Sequence, residues 1–173
     1  MPSVPFEQLP DDARLWVFAA AHPLDDGQQR ALLAHVDAFV DRWAAHGASV
    51  VGGRALRHGR FLLVGADERA TGVSGCSIDT LFRSLGEVEA ATGVPLRDSS
   101  LVHWRDAAGQ VRSAPRAAFR EHVRAGEVDA GTTVFDNTVG TVGDLRGGRW
   151  ELPMAESWHG RAFGGTAAAG DRR

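Results

Sequence analysis

The order in which short apolar runs and longer amphipathic stretches alternate is what most constrains this chain. The run "RLWVFAA", Arg14 to Ala20, is rich in Trp, Val and Phe and lies between Pro10-Asp11-Asp12 and His22-Pro23, so it reads as a strand. Asp25 and Asp26 then open a helix whose apolar residues Leu32, Leu33, Val36, Phe39, Val40 and Trp43 follow a three-and-four spacing, with Gly47 as its expected stop. "ASVVGGRALRH" and "RFLLVGAD", joined across Gly59, read as a β-hairpin. A second amphipathic helix carries Ile78, Leu81, Phe82, Leu85 and Val88 and ends at Gly93-Val94-Pro95. "SLVHWRD" is the fourth strand and "QVRSA" the fifth.

Through the fourth strand the order is β-α-β-β-α-β, which predicts an α+β fold with a ferredoxin-like core and strand order 4-1-3-2. A C-terminal extension adds a short helix near Pro115 to Arg124, a strand in "TTVFDNTV" and a piece bearing Trp150 and Trp158. At 173 residues and 43% hydrophobic, the chain suits one domain, expected over 1–163, with a disordered tail over 164–173. Trp16 and Phe18 alternate with Leu15, Val17 and Ala19, so both faces of the first strand need cover. The C-terminal elements are the natural cover, and a second subunit in a homodimer is the alternative.

Composition then removes whole chemistries. All 19 basic residues are Arg, so neither a Walker A phosphate loop nor a lysine Schiff base can be built. Tyr is absent, which leaves His, Asp, Glu and Cys as acids and bases. The net charge of -3 argues against nucleic acid held by bulk electrostatics, and Trp16, Phe18 and Phe61 are only a weak echo of an RNA-recognition sheet. No apolar run approaches the roughly 20 residues of a membrane span, and "MPSVPFEQLPDD" lacks the regions of a signal peptide, so a cytoplasmic protein is expected. A single Cys excludes an intramolecular disulfide, and no His pair shows helical metal-ligand spacing. The expectation is therefore no metal and no cofactor.

One stretch stands out as a site, "GVSGCSID", Gly72 to Asp79. It holds the only cysteine, Cys76, on a glycine-flanked turn before a helix, where free backbone N–H groups favour an anion or a thiolate. In the expected topology this turn meets the end of the first helix and one end of the sheet. Ser74, Gly75 and Ser77 would then supply donors to a small anionic ligand, and Arg14 and Arg105 would grip a carboxylate or phosphate. The alternative is a thiol-dependent enzyme with Cys76 as nucleophile, His46 as base and Asp79 or Asp106 orienting the ring. A plainer use of the same residues is Ser77 as helix N-cap over a buried Cys76, with His46 at a helix C-terminus.

"LPDDARLWVF", "WAAHG", "SGCSID" and "TVFDNTVGTVGDL" together resemble an uncharacterised family of small bacterial cytoplasmic proteins. The likeness spans most of the chain except its tail and is most specific at "SGCSID". Some members carry the label of transporter ATPases, which this chain cannot honour without a Walker A motif or a lysine. The resemblance implies a shared fold and a shared loop, and it names no reaction. The functional expectation is thus a binder of a small anionic ligand or a protein partner near Gly72 to Asp79.

Overall fold

A computed structural model describes residues 3–45, 48–69 and 75–164, apart from the side chains of 45, 76 and 77. The fold is mixed α+β with antiparallel sheets. The chain divides into two compact units, Met1–Asp98 with Thr138–Gly147, and Ser99–Asn137 with Gly148–Arg173. The expected tail lies, beyond its first residue, outside the described residues.

In the first unit, β1 (Arg14–Ala19) pairs with β5 (Phe61–Asp67), which pairs with β4 (Val51–Arg57), giving the order β1-β5-β4. This is the expected 1-3-2 arrangement. The β4–β5 hairpin closes as predicted at Gly59, where His58 (φ 51°) and Gly59 (φ 63°) are both left-handed, as a tight primed turn requires. α1 (Asp26–Val40) starts at a capping box: Asp25 accepts from the Gln28 N–H at 2.8 Å, and the Gln28 side chain accepts from the Asp25 N–H at 3.0 Å. α2 (Gly75–Thr92) packs beside it. Leu32, Val36, Leu81 and Leu85 close over Phe18, Leu62 and Val64, all buried.

The other face of this sheet is covered by the N-terminal segment. A single 3-10 turn, Phe6–Gln8, lays Phe6 and Leu9 against β4 and β5. Glycine permits that approach, because a Cβ at Gly65 would stand 2.4 Å from Leu9 Cδ1 and one at Gly53 2.7 Å from the Val4 carbonyl oxygen. Within this unit the second cover is therefore the N-terminal turn, where C-terminal elements were expected.

The fourth strand departs from the ferredoxin-like expectation. "LVHWR" is β6 (Leu101–Arg105) of the second unit, so order 4-1-3-2 is not formed. The open edge of β1 is met instead by two loop carbonyls, since Leu15 N–H donates to Gly140 O at 2.9 Å and Ala19 N–H to Leu96 O at 3.1 Å. Glu89 holds that second loop in place by accepting from the Leu96 and Arg97 N–H groups at 2.7 and 2.9 Å. A hydrogen-bonded loop satisfies an edge strand's backbone as well as another strand would.

The first helix also stops early, at Val40 and not at Gly47. Trp43 is 2% exposed, packed 5.1 Å from Phe39 and 5.8 Å from Trp16 between ring centroids. Its N–H bonds Val40 O at 3.2 Å, and its carbonyl accepts from Val50 N–H at 2.9 Å, which turns the chain into the small hairpin β2 (Ala44–Ala45) and β3 (Ala48–Ser49).

In the second unit β7 (Val111–Pro115), β6, β8 (Thr133–Phe135) and β9 (Glu151–Pro153) form an antiparallel sheet in that order. α3 (Arg116–Arg124) lies where the short helix is expected and buries Phe119 beside Trp104, Val134 and Phe163. Two short helices complete the molecule, α4 (Val142–Arg146) in the first unit and α5 (Trp158–Phe163) in the second.

Candidate functional site

The structure treats the expected site residues unequally. His46 and Ser74 lie outside the described residues. Cys76 and Ser77 fall inside the first turn of α2, which begins at Gly75, three residues before the start that an N-cap at Ser77 would require. Gly75 is helical, and a Cβ there would meet nothing within 4 Å, so neither positive φ nor close approach explains it. Asp79 is exposed and bonds to no described residue.

The arginines are engaged elsewhere. Arg14 faces Glu68 at 3.5 Å and lies over the Trp16 ring at 4.9 Å. Arg105 belongs to the second unit, where it holds Glu151 through Nε and Nη2 at 3.0 and 2.6 Å and the Gly109 carbonyl at 3.0 Å. Arg54 grips Asp37 of α1 with both guanidinium arms. Asp106 organises the β6–β7 turn: it accepts from the Ala108 and Gln110 N–H groups and from Arg112, whose guanidinium holds its carboxyl below the usual range. Asn137 accepts from the Trp150 indole N–H at 3.0 Å. Phe18 and Phe61 are core residues, 5% and 0% exposed, and offer no stacking platform for bases.

What the first unit does present is a groove of about 360 Å3 between the end of α1, β2 and the flank of α2. Arg42, in the turn after α1, and Arg83, on α2, stand on it together with the hydroxyls of Thr80 and Ser84. Edges of Phe39 and Trp43 supply its apolar wall, and Glu87 stands at its rim. α2 carries the polar stripe at positions 80, 83, 84 and 87, while Leu81, Leu85 and Val88 face the core. Thr80 follows the "SGCSID" stretch directly.

Two features mark this groove. Arg54, Arg57, Arg97, Arg105 and Arg146 each face a carboxylate; Arg30 and Arg161 face no described carboxylate, but neither lines this groove. Arg42 and Arg83 stand on it together, and neither pairs with a described residue. Behind them, His35 Nε2 of α1 lies 2.9 Å from Ser84 Oγ, a bond across the helix pair that orients the hydroxyl. Sequence reading missed this site because Arg42 sits in a stretch read as helix. Its available signal was the i, i+3, i+4, i+7 polar stripe along "TLFRSLGE".

The second unit holds another polar cluster, which its burial closes to chemistry. Ser157 and His159 are 3% and 1% exposed. Ser157 Oγ donates to Met154 O at 2.9 Å and accepts the His159 N–H at 3.1 Å as the cap of α5. His159 Nδ1, 3.0 Å from the same oxygen, must then carry the proton. The serine is committed to structure and cannot be activated as a nucleophile by this ring.

Among the described residues no helix is long and apolar enough to cross a membrane, and no group of three or more His, Cys, Asp or Glu is placed to hold a metal ion. No family model, curated protein or solved structure matches this chain.

Proposed function

We propose that the protein binds a small anionic ligand in the α1–α2 groove, with Arg42 and Arg83 as its charge partners and Thr80 and Ser84 as flanking donors. The observation that carries this reading is the pair of guanidinium groups left without a carboxylate in one groove. Arginine presents rigid paired donors that match a carboxylate or phosphate, and an anion between two of them gains charge-assisted bonds. The Gly72 to Asp79 stretch enters as the lead into the helix flank that bears Thr80 and Arg83. The framework is a ferredoxin-like β-α-β-β-α core read without its fourth strand, and the resemblance carried by "SGCSID" and "WAAHG" belongs to the same proposal, since the first stretch runs directly into Thr80 and the second opens with Trp43.

Calorimetric titration with sodium acetate, 4-methylpentanoate and inorganic phosphate tests the reading. Saturable binding of at least one of these to wild type is expected, weakened about tenfold or more by Arg42→Gln or Arg83→Gln, because a hydrogen bond to a charged group contributes about 1.5–3 kcal/mol. Arg116→Gln in the second unit leaves affinity unchanged. Cys76→Ser also leaves it unchanged, whereas a thiol-dependent reaction would be lost with that variant. Absence of saturable binding, or wild-type affinity retained in both the Arg42→Gln and Arg83→Gln proteins, refutes the proposal.

A further inference from the structure

The groove holds a negative charge beside its two positive ones, and they do not neutralise each other. Arg83 and Glu87 stand four residues apart on α2, the spacing at which helix side chains pair, yet no ion pair forms between them. Glu87 instead lies 4.0 Å from His35 Nε2, at the limit of an ion pair, with its side chain 66% exposed. The groove thus offers guanidinium groups, a separate carboxylate and the apolar wall of Phe39 and Trp43.

Resting on the anion-binding reading, we infer that the ligand is a small zwitterion, an α-amino acid with an apolar side chain. Its carboxylate meets Arg42 and Arg83, its ammonium group meets Glu87, and its side chain lies along the aromatic wall. Other ligand classes satisfy fewer of these groups. A phosphate would answer the guanidinium groups but face repulsion from Glu87, and a neutral polyol would leave both signs of charge unmatched. A volume of about 360 Å3 falls in the range of about 300–1,000 Å3 typical of small-molecule sites and admits an amino acid with room to spare.

The test compares L-leucine with 4-methylpentanoate, which is the same molecule without its amino group, by calorimetry on the full chain at fixed ionic strength. Wild type is expected to bind leucine about tenfold more tightly, the effect of one charge-assisted contact. Glu87→Gln, an exposed change that leaves the core intact, removes that preference by weakening leucine, while 4-methylpentanoate binds at least as tightly as before because the repulsion from Glu87 is relieved. Arg83→Gln weakens both ligands. If wild type binds the two equally, or if the preference survives Glu87→Gln, the zwitterion assignment is wrong and the anion reading stands. If wild type binds neither of these nor acetate or phosphate, both fall.

Discussion

Burial at His159 works directly against its charge. The ring is 1% exposed, stacked 3.9 Å from Trp158, and its pKa is pushed down to about 4, first by burial and then by the neighbouring Arg116 and His103, with Asp136 acting in the opposite direction. The unfolded chain therefore takes up a proton on this residue near the ordinary value of 6.5, before the folded one does. Its contribution is complete above about pH 6.5, is lost as pH falls toward about 4 and changes no further below that. At about 1.4 kcal/mol per pKa unit, the loss is about 3 kcal/mol. Urea unfolding between pH 7.5 and 4.5 should show wild type losing that much more stability than His159→Gln, whose side chain does not titrate. Equal losses in the two proteins would remove His159 from the acid sensitivity of the fold. Nothing in the sequence marks this histidine apart from the other six: Ser157 and Trp158 are local to it, but its burial also depends on packing against Phe119 of α3.

At the scale of elements, starts were easier to read than ends. The Asp25–Gln28 box that opens α1 is local chemistry, satisfied by residues three apart. Asp25→Ala should lower stability by about 1 kcal/mol, seen as a lower urea midpoint with an unchanged slope. Strand β1, the β4–β5 hairpin with its left-handed turn and α3 were likewise legible, since periodicity and turn residues specify them within a few positions. The end of α1 was not. Apolar periodicity runs on to Trp43, but that indole is buried beside Trp16, a contact formed only when the chain leaves the helix at Val40. The same early exit brings Arg42 onto the groove, so the helix end and half of the site were missed for one reason. The partner of β6 was missed for another: a strand's sequence shows that it will pair, not with which strand.

Over the whole molecule, the chain passes from the first unit to the second at residue 98 and returns for Thr138–Gly147 before leaving again. That short return completes the first unit. Val142 is 0% exposed, and its N–H bonds Ala13 O at 2.9 Å, while Gly143 N–H bonds Asp11 O at 2.8 Å and Gly140 O accepts from Leu15. Burying one valine is worth about 1.5–3 kcal/mol and each of the three hydrogen bonds about 1 kcal/mol, so a fragment ending at residue 98 should be about 4–6 kcal/mol less stable than the first unit in the full chain. Joining 138–147 to that fragment through a flexible linker should restore most of the difference in urea unfolding. A fragment as stable without the return would show that the edge of β1 needs no such partner.

Composition alone removed lysine-dependent chemistry and disulfide bonding, and local pattern alone located α1, α2 and the β4–β5 hairpin, though neither the end of α1 nor the short α4, because those properties depend on residue type or on neighbours a few positions away. Long-range packing governed the rest. The edge of β1 accepts any correctly spaced carbonyl, so Leu96 and Gly140 serve where a fourth strand was expected. The groove exists because residues 41 positions apart, Arg42 and Arg83, are brought to one surface by the packing of α1 on α2, and no local pattern encodes that meeting.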